Sequence, residues 1–82
     1  MRLQLVIVSP ERTLFSGEIE KVELPGTKGR FEVLVNHAPL VSTLTAGRIV
    51  YSDNQGKEQV LEILGGFVEI NANIVSVCVE LE

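Results

Sequence analysis

Apolar and polar residues alternate through much of this 82-residue chain, and the alternation predicts β-strands. Successive side chains of a strand point to opposite faces, so residues two positions apart share a face. Three sets show this spacing: Leu3, Leu5 and Ile7; Phe31, Val33 and Val35; and Val75, Val77 and Val79. Twenty-two residues are Val, Ile or Thr, whose branched side chains suit a pleated surface. No stretch keeps a helical period, so we predict an all-β fold.

Turn-forming residues interrupt these stretches at short intervals. They cluster at six places: Ser9-Pro10-Glu11, Pro25-Gly26-Thr27-Lys28-Gly29, Asn36-His37-Ala38-Pro39, Ala46-Gly47, Asp53-Asn54-Gln55-Gly56 and Asn71-Ala72-Asn73. Short strands joined by frequent turns are typical of β-sandwiches and small barrels. We therefore predict a flattened two-sheet β-sandwich or barrel, with a single domain over residues 1–82.

Two irregularities in the pattern carry further predictions. Ile19 is out of phase with Val22 and Leu24, and a bulge near Glu20 would bring these three apolar side chains to one face. The segments on both sides of Gly65-Gly66 are apolar on both faces, which predicts one long buried strand. The glycine pair would mark a sharp bend or a close backbone approach within that strand.

Composition and charge exclude several classes of function. The chain is 45% apolar and 22% charged, as expected of a domain with a packed core. The acidic residues behind the net charge of −4 are scattered and no basic stripe is present, so nucleic acid is not an expected partner. The apolar run at residues 5–8 is too short for a signal peptide or a membrane span, so we expect no direct membrane insertion. The single cysteine, Cys78, cannot form an internal disulfide, which favours the cytoplasm.

No residue pattern indicates a catalytic, cofactor or metal site. The only histidine, His37, lies in a predicted turn and has no metal-ligand spacing to Cys78. No serine lies in a G-x-S-x-G setting. The turn from Gly26 to Gly29 lacks the spacing and the following helix of a phosphate-binding loop. We therefore predict that the chain is not an enzyme and works by binding other proteins.

Lys57 supports an alternative function. Domains that carry lipoate or biotin are also acidic, all-β and of this size, and hold their lysine at the tip of a hairpin. Here Lys57 follows the predicted turn Asp53-Asn54-Gln55-Gly56 but lies at its exit, and the Met-Lys-Met or Asp-Lys-Ala context is missing. A carrier domain modified on Lys57 stays the alternative hypothesis. An enzyme is a third, which turnover by the isolated chain would reveal.

The order of turns and strands resembles one known family. The segments that carry the resemblance run across the chain: Ser9-Pro10-Glu11, Leu14-Phe15-Ser16-Gly17-Glu18, Leu24-Pro25-Gly26-Thr27-Lys28-Gly29, Val33-Leu34-Val35-Asn36-His37-Ala38-Pro39-Leu40 and Gly65-Gly66-Phe67-Val68-Glu69. They are similar to the N-terminal domain of the epsilon subunit of the rotary proton-driven ATP synthase. The resemblance implies a flattened β-barrel in the central stalk that turns with the rotor.

The resemblance also implies partners and contact residues. The domain would bind the gamma subunit and the ring of membrane-embedded c subunits, one copy per complex, and couple proton transport to ATP synthesis. The gamma interface would include Ser9, Pro10, His37, Leu40 and Ser42. The c-ring interface would include Lys28 and Arg30. The complex would lie at the bacterial inner (plasma) membrane, with this chain peripheral on its cytoplasmic side.

Members of this family usually continue into two C-terminal helices, which the 82 residues do not include. In relatives these helices restrain ATP hydrolysis, and in some they bind ATP. The resemblance therefore implies little or no autoinhibition by this chain, and no bound cofactor.

Overall fold

The computed structural model describes residues 2–82 and confirms the all-β prediction. Eight strands follow one another: β1 Leu3–Val8, β2 Thr13–Gly26, β3 Gly29–Val33, β4 Leu40–Leu44, β5 Gly47–Asp53, β6 Glu58–Ile63, β7 Gly65–Asn71 and β8 Ile74–Glu80. All six predicted turns lie at connections between consecutive strands, and some of their residues are the end residues of those strands. The described residues contain no helix, and so none that could cross a membrane.

The long strand β2 joins two sheets into the predicted flattened sandwich. Its first part, residues 13–19, pairs with β1, and β8, β7 and β4 follow in order to form what we call the front sheet. Its second part, residues 19–26, pairs with β3 on one edge and β5 on the other, and β6 completes the back sheet. A single pair between Gly26 and Leu44 brings β4 against the end of β2. β1 runs parallel to β8, whereas the other pairs are antiparallel.

The core lies between the sheets and follows the alternation for two of the three predicted sets. The buried apolar residues are Leu3, Leu5, Ile7, Ile19, Val22, Leu24, Val33, Leu44, Ile49, Ile63, Val68, Ile70, Val75, Val77 and Val79. The third set was wrong at one position, because β3 ends at Val33 and Val35 lies exposed in the following turn. Asn36 adopts a left-handed backbone (φ 68°) and the His37 amide donates to the Leu34 carbonyl, so the strand cannot continue.

The bulge predicted near Glu20 is confirmed. Ile19 pairs with Asp53, but Lys21 already pairs with Ser52, so β2 has one extra residue between these two pairs. The extra residue shifts the alternation by one position. Ile19, Val22 and Leu24 consequently all face the core.

The prediction of one long strand through Gly65-Gly66 was wrong, although the close backbone approach is present. β6 ends at Ile63 and β7 begins at Gly65, with the exposed Leu64 between them. The Leu64 amide donates to the Glu80 carbonyl over 2.8 Å, so the connection between β6 and β7 is hydrogen-bonded to the end of β8. A Cβ atom on Gly66 would overlap the carbonyl oxygen of Cys78 on the neighbouring strand.

The turn between β7 and β8 offers a test of local backbone strain. Ala72 and Asn73 form its two central residues and both have positive φ, 52° and 62°. This conformation is unfavourable for alanine by about 1 kcal/mol, whereas asparagine tolerates it. We expect Ala72→Asn to raise the free energy of unfolding by about 0.5–1 kcal/mol in urea denaturation. Ala38→Asn, in a loop without positive φ at that residue, is the control, and an equal effect of both changes would contradict the explanation.

Candidate partner-binding surface

The outer face of the front sheet carries a group of apolar side chains beside the polar residues Thr43, Glu69 and Ser76. Strand register brings five side chains together on it: Val6, Val8, Val41, Phe67 and Cys78. Phe67 lies opposite Cys78, and Cys78 opposite Val8, across three neighbouring strands. Val41 is 72% exposed and Phe67 53% exposed. We call these five residues the apolar face; exposed apolar residues grouped in this way are a feature of interaction sites.

The outer face of the back sheet carries two ion pairs. Lys21 forms an ion pair with Glu32 (3.7 Å) and Arg30 with Glu23 (3.2 Å). All four side chains are between 40% and 49% exposed. Such exposed pairs add little stability, but they keep the surface hydrated. The two faces of the sandwich therefore differ, and the front one is suited to burial against a partner.

An apolar cleft of about 330 Å³ continues the apolar face toward the turn after β1. Its lining includes Ser9, Pro10, Phe67 and Cys78. The Ser9 amide donates to the Arg12 carbonyl over 2.9 Å, and the tight turn leaves Pro10 exposed. Two residues of the predicted gamma interface thus lie at the edge of the apolar face.

A larger cleft, of about 890 Å³, lies between the β2–β3 turn and strand β4. It brings together residues predicted for two different partners: Lys28 and Arg30 on the turn, and Leu40 and Ser42 on the strand. Thr27 and Thr43 close one end, since their hydroxyl oxygens are 2.8 Å apart and the Thr27 amide donates to the Thr43 carbonyl. The two predicted interfaces are therefore adjacent on this side of the domain.

The two basic residues of this cleft, Lys28 and Arg30, differ in whether they form an ion pair within the domain. Arg30 is held by Glu23 through its Nε atom. Lys28 is exposed, and among the ion pairs of residues 2–82 none involves it. Lys28 is therefore the freer positive charge for an acidic group of a partner.

Strand β4 shows which predicted residues can be reached by a partner. Leu40 is half-buried and packs against the core, and Ser42 is also half-buried. Val41, between them, points outward as the most exposed large apolar residue of the described chain. Sequence reasoning missed Val41 and Phe67 as surface residues. The alternation shows that Phe67 and Val68 lie on opposite faces of β7, but it does not show which of the two faces is covered.

His37 lies at the opposite end of β4 from the Ser9-Pro10 turn, in the loop of residues 34–39. It is half-buried, and its Nδ1 atom is 2.7 Å from the Ala38 carbonyl oxygen. The structure thus does not gather all the predicted gamma residues at one point. It distributes them along the front sheet and its two ends.

The described residues hold no arrangement suited to acid–base chemistry or metal binding. No group of three or more His, Cys, Asp or Glu side chains in residues 2–82 could hold a metal ion. Burial raises the pKa of the Tyr51 phenol, and the Asp53 carboxylate adds to the rise, so this hydroxyl stays protonated at neutral pH. Lys57 is exposed at the exit of the β5–β6 turn, where its amide donates to the Asp53 carboxylate over 2.9 Å.

Comparison with known proteins identifies the family. The family described as ATP synthase, Delta/Epsilon chain, beta-sandwich domain matches residues 2–81. The chain belongs to this family. The ATP synthase epsilon chain of Caulobacter vibrioides is 39% identical over 79 residues, which cover 96% of this chain and 91% of that protein. The ATP synthase epsilon chain of Dichelobacter nodosus is 42% identical over 69 residues, which cover 84% of this chain but only 48% of that protein.

Solved structures agree on the fold of this ATP synthase delta/epsilon-type domain. A chain of the Euglena gracilis mitochondrial ATP synthase superposes with a TM-score of 0.89 at 20% identity, covering 95% of this chain and 50% of that one. A chain of the Tetrahymena thermophila mitochondrial ATP synthase central stalk and c-ring gives 0.79 at 14% identity, covering 98% and 64%. The resemblance seen in the sequence is confirmed by the family match. Membership also supports the prediction of an ATP synthase subunit that is not the catalytic one.

Proposed function

We propose that this chain is a rotor subunit of ATP synthase that binds gamma and the c-ring in the central stalk. The observation that carries the proposal is the family match over residues 2–81. In this role the chain couples proton transport to ATP synthesis as one copy per complex, with residues 1–82 as a single domain. The complex is a bacterial one, and the chain is peripheral, on the cytoplasmic side of the inner membrane. The proposal gives these residues no part in restraining ATP hydrolysis.

The apolar face supports gamma binding on physical grounds. Burying a fully exposed Val or Phe side chain stabilises an interface by about 1.5–3 kcal/mol. Val41 is 72% exposed and Phe67 53% exposed, so burying either side chain against a partner would still contribute part of this energy. Ser9 and Pro10 lie beside this face, Leu40 and Ser42 line the neighbouring cleft, and His37 lies in loop 34–39. These five residues are proposed as the rest of the gamma interface. A closely packed sandwich deforms little, so it can transmit torque from one partner to the other.

Lys28 and Arg30 are proposed to face the c-ring, and Lys28 provides the sharper test because Arg30 already has an ion-pair partner. We expect Lys28→Glu to weaken binding to the purified c-ring about three- to tenfold at low salt, because a favourable charge contact becomes repulsive. The loss should shrink at high salt. Lys57→Glu, on a distant hairpin, is the matched control. If the two charge reversals weaken c-ring binding equally, the c-ring does not bind at the β2–β3 turn.

Co-purification tests the function as a whole. An affinity-tagged 82-residue chain, expressed in bacteria with the gamma and c subunits, should retain both partners through size-exclusion chromatography. Intact-mass analysis of the same material should show an unmodified Lys57. A chain that retains neither partner and carries a lipoyl or biotinyl mass on Lys57 would replace the proposal with the carrier domain.

A further inference from the structure

Strand β6 forms an open edge of the back sheet. Among the strand pairings of residues 2–82 it takes part in one, with β5. An edge strand presents unpaired amide and carbonyl groups, which can pair with a strand of another chain. Strand β3 also pairs on one side only, but its two charged side chains, Arg30 and Glu32, already form ion pairs with β2. β6 is therefore the edge whose charges are free to act on a second chain.

The register of the β5–β6 hairpin shows which groups of β6 point away from β5. The Asp53 amide donates to the Lys57 carbonyl over 2.9 Å, so these two residues form a hydrogen-bonded pair. Such pairs alternate with non-hydrogen-bonded pairs along an antiparallel ladder. The register continues through β6 without a shift, so every second residue from Glu58 to Glu62 belongs to a pair of the second kind. The amides and carbonyls of Glu58, Val60 and Glu62 consequently point to the open edge.

Two copies of the chain can align their β6 edges in a two-fold antiparallel arrangement. The register that uses all three open residues places Val60 opposite Val60, and it places Glu58 opposite Glu62 twice. All three side chains are exposed, and neither glutamate takes part in an ion pair within residues 2–82. Arg48 lies opposite Glu62 on β5 of the same chain, without an ion pair between them. Like charges directly opposite each other destabilise a strand pair, so both glutamate contacts oppose this dimer.

We infer that Glu58 and Glu62 keep the domain monomeric by preventing the β6 edges of two copies from pairing. The open backbone groups and the central contact between the two Val60 side chains favour association. The two contacts between Glu58 and Glu62 oppose it, and their charge decides the outcome. The inference goes beyond the proposed function and does not depend on it, because it concerns only contacts between copies of this chain.

A single charge reversal on β6 should convert the edge into a pairing surface. In Glu62→Lys both opposing contacts become attractive. We expect dimerisation of the full 82-residue chain, measured by sedimentation equilibrium at low salt, to strengthen about 100-fold, roughly tenfold for each contact. Glu58→Lys should have the same effect, because the two-fold arrangement gives both residues the same contacts. High salt should weaken both dimers.

The double reversal, Glu58→Lys with Glu62→Lys, separates specific pairing from a general effect of charge. It raises the net charge from −4 to 0, since each reversal adds two positive charges, yet it restores like-charge contacts across the edge. We expect this double variant to be as monomeric as the wild type, and to form a heterodimer when it is mixed with the wild type. If it associates more strongly than either single variant, net charge governs association and the inference is wrong.

A control variant and amide exchange locate the contact. Glu69→Lys, exposed on β7 of the front sheet, changes the net charge as much as Glu62→Lys and should remain monomeric. In the Glu62→Lys dimer, NMR should show slowed hydrogen exchange at the amides of residues 58, 60 and 62, which point to the open edge. A monomeric Glu62→Lys chain, or a wild-type chain that dimerises as strongly, would overturn the inference. So would a Glu62→Lys dimer without this protection.

Discussion

Replacing Gly66 by alanine is expected to destabilise the folded chain strongly. The added Cβ atom would overlap the Cys78 carbonyl oxygen, and it would also lie 3.1 Å from the Val79 Cα atom. These are backbone atoms of the paired strand, so they can move only if β7 and β8 separate. Overpacking against an immobile backbone costs about 3 kcal/mol or more, a large share of the stability of so small a domain. Urea denaturation followed by circular dichroism measures the loss.

Gly65→Ala is the matched control for this prediction. Its Cβ atom would meet only the Leu44 carbonyl oxygen, at an ordinary contact distance of 3.5 Å. We expect its free energy of unfolding to stay within about 1 kcal/mol of the wild type. If the two alanine variants have similar stability, the close approach of β7 and β8 at Gly66 is not what requires glycine.

The second large effect is expected at the apolar face. Phe67→Asp should weaken gamma binding by about 2–4 kcal/mol, because a carboxylate would be buried against an apolar partner surface without a counter-charge. Phe67 is 53% exposed in the free chain, so the fold should lose no more than about 1 kcal/mol. Isothermal titration of gamma with each variant measures the first quantity, and urea denaturation the second.

Val60→Asp provides a control of equal exposure on the other side of the sandwich. Val60 is 54% exposed on β6, at the outer face of the back sheet. Its replacement should leave gamma affinity unchanged within about threefold, a difference under 1 kcal/mol. If Val60→Asp weakens gamma binding as much as Phe67→Asp does, gamma does not bind the front sheet specifically.

Local signals accounted for most of the fold. The alternation of Leu3, Leu5 and Ile7 is read from a few neighbouring residues, and burial follows because one face of β1 meets the core. The bulge at Glu20 was visible for the same reason, as a one-residue shift of phase. Turn positions followed from Gly, Pro, Asn and Asp, whose backbone preferences are local.

The remaining features depend on distant residues, and the sequence did not show them. Phe67 was expected to be buried because its segment is apolar on both faces, yet which face is covered is decided by the pairing of β7 with β4 and β8. The contact between Asn36 and Asn73 joins residues 37 positions apart, and no local sequence pattern predicts it. Of the candidate site, the sequence predicted residues at its edges, such as Ser9 and Ser42, but missed Val41 and Phe67 on the exposed apolar surface.

We propose above all that the front sheet of this domain binds gamma. Hydrogen–deuterium exchange of the 82-residue chain, measured alone and saturated with purified gamma, tests the claim most directly. We predict that gamma slows exchange in the Ser9–Arg12 turn, in loop 34–39 and along the exposed edge of β4, while the outer strand β6 exchanges as before. Protection confined to β6 and the β5–β6 turn, or no protection at a gamma concentration that saturates binding, would contradict it.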